Sequence, residues 1–207
     1  MAWEVLGIIG TFAFAISGAL IAMEEEYDIL GVYILGIVTA FGGGAIRNLL
    51  IGVPVSELWK QGPLFLIALF SISAIFLFPN VLIKHWNRWG NFFDAIGLAA
   101  FAIQGALYAV NMNHPISAVV VAAVLTGSGG GIVRDLLARR KPLVLRSEIY
   151  AVWAIVAGLA IGLGLFQSTF GLYSLFIIIV ILRMLSYIYD WKLPTKPIHI
   201  NQNKQQM

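Results

Sequence analysis

The chain contains one pattern twice. Residues 7–50 align with residues 94–137 without a gap at a constant offset of 87, and 19 of the 44 paired positions are identical, far above chance for so long a period. Phe14-Ala15-Ile16 returns as Phe101-Ala102-Ile103, and Gly18-Ala19-Leu20 as Gly105-Ala106-Leu107. The strongest pair is Thr39-x-x-Gly42-Gly43-Gly44-x-x-Arg47 and Thr126-x-x-Gly129-Gly130-Gly131-x-x-Arg134. A duplicated unit of this length implies two copies of one supersecondary structure.

What surrounds that unit is apolar. Of 207 residues, 60% are hydrophobic and 11% charged, against about 25% charged in a soluble domain. So few charges cannot cover a soluble surface, and the chain reads as an integral membrane protein. It has no cysteine, which excludes disulfides, thiolate metal sites and cysteine nucleophiles. Glu4 precedes the first apolar run and no Lys or Arg does, so the basic n-region of a signal peptide is missing and the first span is expected to be retained.

Seven apolar runs approach the length of a membrane helix, at about 4–23, 29–51, 63–83, 94–112, 115–138, 148–166 and 170–189. The expected fold is an all-α membrane protein with a single transmembrane domain over 1–190. Repeat one covers about 4–83, repeat two about 94–166, and a seventh helix about 170–189 stands outside the duplication. Residues 191–207 form a polar tail, expected to be disordered and cytoplasmic. Three spans per repeat is an odd number, so the second copy must cross in the opposite sense, giving an inverted repeat of the kind on which transporters and some channels are built.

Orientation follows from the basic residues. If alternate loops face alternate sides, Lys84, Arg88, Arg139, Arg140, Lys141, Arg146, Lys192, Lys196 and Lys204 share the side opposite the N-terminus, and only Lys60 lies on the N-terminal side. The positive-inside rule then puts the N-terminus outside and the C-terminus in the cytoplasm of a multi-pass plasma-membrane protein. The acidic run Glu24–Asp28 falls on the cytoplasmic side, which the rule permits.

The glycine triplets demand a reason. Each glycine in a helix costs about 0.8–1 kcal/mol relative to alanine, so a triplet costs roughly 2–3 kcal/mol and invites a kink or a break. Broken backbone at membrane depth is tolerated where it lines a watery cavity, where carbonyls and half-helix ends coordinate ions or small zwitterions. Close helix packing is the plainer use of small residues, but three consecutive positions cannot all face one neighbour. Arg47 and Arg134 are costly at membrane depth unless they snorkel to an interface. As a pair they suit a gate or a carboxylate anchor in a permeation path. Asp135 is a partner for Arg134; its counterpart Asn48 carries no charge. Thr39, Thr126 and Ser128 offer hydroxyls that either bind a permeant species or bond back within their helices. Ser17 and Gln104 are repeat equivalents, and Gln104 reads as an interhelical hydrogen-bonder. Asp94 reads as a helix N-terminal acid that the dipole favours without further function.

Enzyme signals are missing. His85, His114 and His199 fall in loops or the tail without metal-ligand spacing, and Gly127-x-Gly129-Gly130-Gly131 lies inside a span with no preceding strand. No catalytic residue, metal, cofactor or nucleic-acid partner is expected.

The doubled pattern resembles the bacterial relatives of the trimeric intracellular cation (TRIC) channels, a domain also described as a glycine transporter domain or UPF0126-type membrane protein. The residues that carry the resemblance are Phe12-Ala13-Phe14-Ala15-x-Ser17-Gly18-Ala19-Leu20, Gly36-x-x-Thr39-Ala40-x-Gly42-Gly43-Gly44-x-x-Arg47, the second copy ending Gly129-Gly130-Gly131-x-x-Arg134-Asp135, and Glu148-x-Tyr150-Ala151. It covers roughly 1–190. It implies seven helices and a homotrimer with one pore per protomer, lined by the second and fifth helices and kinked at Gly42–Gly44 and Gly129–Gly131. It also implies permeation of monovalent cations, chiefly K+, with Na+ and bound lipid as further candidates. The family's usual Gly-Gly-Gly-x-x-Arg-Asp reads Arg47-Asn48 in the first copy, and no lysine of the kind the animal channels carry is found in the fourth span. Two other readings remain open from the residues: a secondary carrier of glycine or another small amino acid, held by an arginine, and a structural protein whose glycines only pack helices.

Overall fold

The computed structural model describes residues 2–79, 86–145 and 149–194. Among these the chain is helical, with no strand. The helices are α1 (Ala2–Glu24), α2 (Ile29–Ile51), α3 (Gly62–Leu77), α4 (Trp86–Asn111), α5 (Ile116–Leu137), α6 (Ala151–Gly162) and α7 (Thr169–Ile188), with short 3₁₀ turns at Val55–Lys60 and Leu143–Leu145.

Local chemistry sets the helix ends. Asp28 caps α2 by accepting the Gly31 N–H at 2.8 Å, and Gly52 ends the helix in the left-handed region at φ 79°, where a side chain would be strained. Pro63 sits in the first turn of α3 and Pro115 directly precedes α5, positions where a missing N–H does no harm. Ser168 caps α7 from the Gly171 N–H at 3.0 Å.

Two expectations are corrected here. α4 begins at Trp86, so Asp94 is an interior helical residue and no N-terminal acid. The third and sixth spans are shorter than 63–83 and 148–166: α3 has 16 residues and α6 has 12. At the helical rise these reach only about 24 and 18 Å, less than the roughly 30 Å of a bilayer core. The other five helices are long and apolar enough to cross a membrane. Residues 80–83 of the expected third span, Glu148, and the part of the expected tail beyond 194 lie outside the described residues.

α1 and α4 form the centre of the bundle. α1 packs on α2, α3 and α4; α4 packs on α1, α5, α6 and α7; α2 packs on α5. One core cluster joins Leu98, Ile103, Ala122, Ala157 and Ile179, and a second joins Phe14, Leu35, Ile72 and Phe101. Between them, runs of alanine and glycine let the helices approach closely, which is what drives helix association in lipid. Phe70, Leu49, Phe170 and Ile177 are exposed on the outside of the bundle, as lipid-facing side chains are.

Polar contacts identify which ends share a face. The Tyr27 hydroxyl donates to Leu137 O at 2.7 Å, and Arg140 donates to Glu24 at 3.0 Å and Glu25 at 2.5 Å. Burial lowers the Arg140 pKa, but those hydrogen bonds and charges more than offset it and hold the group above its ordinary value. The start of α2 and the end of α5 therefore lie together, on what we call the Glu24 face. At the opposite, Trp3 face, His114 Nε2 lies 3.1 Å from Ile51 O, joining the end of α2 to the start of α5. α2 and α5 thus run antiparallel.

Candidate functional site

The repeat equivalents meet where α2 crosses α5. A Cβ placed on Gly43 would lie 2.5 Å from Thr126 O, and one on Gly130 would lie 2.0 Å from Thr39 O. The contact is reciprocal: each middle glycine presses on the carbonyl of the other copy's threonine. Gly18 and Gly105, themselves equivalents, press on the same two threonines from α1 and α4, with an added Cβ 2.5 Å from Thr39 Oγ1 and 2.4 Å from Thr126 Oγ1 respectively. Both helices run in unbroken α-helix through their triplets. The expected break is therefore absent, because tight packing on a neighbouring backbone holds these glycines helical. For Gly43 and Gly130 the plainer packing use is the one observed.

The triplets still do not face a single neighbour. A Cβ on Gly42 would meet nothing closer than 3.8 Å; one on Gly44 would lie 3.7 Å from Leu58 Cδ2 and 3.8 Å from Arg47 Nη2, and one on Gly131 would lie 3.4 Å from the Tyr150 hydroxyl and 3.6 Å from Arg134 Nη2. The last glycine of each triplet thus leaves room beside its own arginine. Gly129 is closer packed, with an added Cβ 3.0 Å from Gly43 Cα.

The three hydroxyls bond back within their helices. Thr39 donates to Leu35 O, Thr126 to Ala122 O and Ser128 to Val124 O, each at 2.6 Å. Their protons are engaged, and only oxygen lone pairs remain to a ligand.

Both arginines are buried in the protein: Arg47 is 3% exposed and Arg134 2%. Arg134 is held by two carboxylates. It donates to Asp135 Oδ1 at 2.8 Å, to Asp94 Oδ1 at 2.7 Å and to the Ser17 hydroxyl at 2.6 Å. Asp135 in turn accepts the Leu143 N–H at 3.0 Å, tying the α5–α6 connection to the site. Asp94 Oδ2 is buried without a hydrogen-bond partner among the described residues. Among the described residues Arg47 pairs with no carboxylate. It donates to Asn48 Oδ1 at 3.1 and 2.7 Å and lies 4.0 Å over the Tyr108 ring. The position of Asp94 in the first copy is Gly7, where an added Cβ would lie 2.8 Å from Gln104 Nε2. Gln104 donates to Trp3 O at 3.0 Å, the interhelical role expected of it.

Two cavities approach the crossing from opposite ends. The larger, 460 Å³, opens at the Trp3 face and is lined by Thr11, Gly44, Arg47, Gln104, Tyr108 and Thr126 among others. The smaller, 130 Å³, opens at the Glu24 face and is lined by Ser17, Glu24, Asp94, Arg134 and Arg140 among others. Of the residues singled out from the sequence, Gly44, Arg47, Gln104 and Thr126 line the larger cavity and Ser17, Asp94 and Arg134 the smaller; Gly43 and Gly130 instead pack on the threonine carbonyls where α2 crosses α5.

Four contributors escaped the sequence reading. Asp94 looks in sequence like an acid at a helix start, and its separation of 40 residues from Arg134 leaves only tertiary structure to reveal the pair. Thr11 and Tyr108 sit in apolar runs with no signal of their own. Tyr150 is buried, with its hydroxyl 3.4 Å from a Cβ placed on Gly131 and its ring 4.7 Å below Arg183; its place in the Glu148-x-Tyr150-Ala151 motif was the one available hint.

Comparison with known proteins gives a consistent picture. The family model described as Glycine transporter matches twice, over residues 4–80 and 91–165. The UPF0126 membrane protein YvgT of Bacillus subtilis (strain 168) is 71% identical over 201 residues, covering 97% of this chain and 100% of its own. A chain solved in work on the structural basis for conductance through TRIC cation channels superposes with TM-score 0.83 at 36% identity, covering 97% of this chain and 100% of that one. A prokaryotic TRIC channel crystallised in 0.5 M KCl superposes with TM-score 0.85 at 33% identity, covering 92% and 98%.

Proposed function

Because the chain belongs to the glycine-transporter (UPF0126) family of multi-pass membrane proteins, we propose that it is a monovalent cation channel, chiefly for potassium. It works as a homotrimer in the plasma membrane, with one pore inside each protomer. The observation that carries this reading is the likeness, over nearly the whole chain, to solved TRIC cation channels.

The site supports it physically. A cavity at each face, with the tight Gly43 and Gly130 contacts of the α2–α5 crossing, is what a closed path through the protomer would look like. Opening needs α2 and α5 to move apart, and the glycine triplets supply the bend. On the Glu24 side, the unpartnered Asp94 oxygen and the Ser17 hydroxyl offer ligands to a cation beside the Arg134 network. The reciprocal, antiparallel crossing supports an inverted repeat. In that arrangement α3 and α6 complete the two three-helix units despite their length, α7 is the seventh span, the Glu24 face is cytoplasmic and the N-terminus lies outside.

The family description favours a second reading, a secondary carrier of glycine or a similar small amino acid, with Arg47 holding the carboxylate. Proteoliposomes decide between them. Under a potassium gradient without amino acid, the channel reading expects potassium efflux that saturates only weakly with concentration. Efflux that appears only when glycine is supplied would instead identify the carrier.

A further inference from the structure

The two cavities differ in charge, and the difference traces to single residues. On the Glu24 side each lining guanidinium meets carboxylates: Arg134 pairs with Asp94 and Asp135, and Arg140 with Glu24 and Glu25. Around Arg47 the equivalent positions hold Gly7 and Asn48, so among the described residues its charge meets an amide oxygen and the Tyr108 ring. Two of the five guanidinium N–H donors go to Asn48, and no hydrogen bond among the described residues takes the others. In the same cavity wall, Thr11 is 1% exposed and its hydroxyl has no hydrogen-bond partner among the described residues. A buried cation without a counter-charge and a buried hydroxyl without a partner are each costly, and here they line one cavity of 460 Å³. The other charged lining residues are Glu4 and Lys60, both exposed. Lys60 is already paired to Glu57 at 2.6 Å.

We propose that the Trp3-face cavity is an anion site, in which a small free monovalent anion of the carboxylate or halide type sits against Arg47 and the Thr11 hydroxyl. Its charge complements the guanidinium, and the apolar walls formed by Phe41, Leu64 and Phe101 strengthen the charge-assisted hydrogen bonds by excluding water. Resting on the channel reading, the bound anion also cancels the positive field at the mouth of the path, so that a cation passes only beside an occupied site. Arg134 takes no such ligand because its donors already face carboxylates.

The test reads binding apart from current. Purified protein in neutral phosphatidylcholine nanodiscs is titrated with potassium acetate at constant ionic strength, held with a bulky sulfonate, while tryptophan fluorescence reports from Trp3 in the cavity wall. We expect a saturable change that weakens at least tenfold in Arg47→Gln and several-fold in Thr11→Val. It should also be lost in Asn48→Asp, which gives Arg47 the carboxylate that Arg134 already has. If Arg47→Gln fails to fold, the other two variants carry the comparison. No saturable response, or equal affinity in wild type and Asn48→Asp, overturns the proposal. So does loss of the acetate response in phosphatidylglycerol nanodiscs, which would assign the site to a lipid phosphate. Potassium current in acetate and in the bulky sulfonate is recorded in parallel. Binding without any current leaves the anion site standing and removes the channel; current without binding does the reverse.

Discussion

Replacing Gly130 by alanine separates the packing role of the triplets from any other. The new methyl would lie 2.0 Å from Thr39 O, whereas carbon and carbonyl oxygen come no closer than about 3.3 Å in favourable contacts. The α2–α5 crossing must therefore open by about 1 Å or more at its tightest point, an overpacking that costs about 1–3 kcal/mol. The control is Gly42→Ala in the other triplet. There the nearest atom is 3.8 Å away, and alanine gains about 0.8–1 kcal/mol of helix propensity. For a chain of this length the difference corresponds to melting temperatures about 2–12 °C lower for Gly130→Ala and unchanged or slightly higher for Gly42→Ala. Thermal unfolding of the detergent-solubilised protein, followed by circular dichroism or size-exclusion after heating, measures it. Equal destabilisation by the two substitutions, or none at Gly130, would refute the packing argument.

Other substitutions test other parts of the site. Asp94→Asn leaves buried Arg134 paired with Asp135 alone and should destabilise the folded protein by about 1.5–3 kcal/mol, the range for a hydrogen bond to a charged group, read as a fall in melting temperature or in yield of folded protein. Arg140→Gln removes a partly exposed pair to Glu24 and Glu25 and should cost no more than about 1 kcal/mol, with an effect that fades at high salt. Gln104→Leu removes the tie to Trp3 O and should cost about 1 kcal/mol; a loss as large as that for Asp94→Asn would place Gln104 in a wider network than the hydrogen bonds show.

Much of this architecture was written in the repeat. The span read as 29–51 is α2 to the residue, because Asp28 and Gly52 punctuate it. The Arg134–Asp135 pair is adjacent in sequence and needs no fold to find. Asp94 was hidden because α4 begins with Trp86-Asn87-Arg88, a stretch too polar to look like a membrane helix, so the residue seemed to be at its start. The glycine triplets are ambiguous in sequence for a different reason. Propensity predicts a break where three glycines adjoin, but whether a glycine bends a helix or seats it depends on the carbonyl opposite, and Thr39 O and Thr126 O are supplied by tertiary packing alone. The charge asymmetry between the two arginines lay in the sequence as Asn48 against Asp135, but Gly7 against Asp94 acquires meaning only once α1 and α4 are placed beside the arginines.

The central claim is that cations pass through the protomer along the α2–α5 crossing. Gly44 and Gly131 are the positions to probe, since each leaves space beside an arginine without closing the crossing. Single-channel recording in a planar bilayer under a potassium gradient should give unitary steps reversing near the potassium potential. In Gly44→Leu and Gly131→Leu proteins shown to be folded, the unitary conductance should be strongly reduced at an unchanged reversal potential. Unitary conductance equal to wild type in both variants would contradict a pore at this crossing.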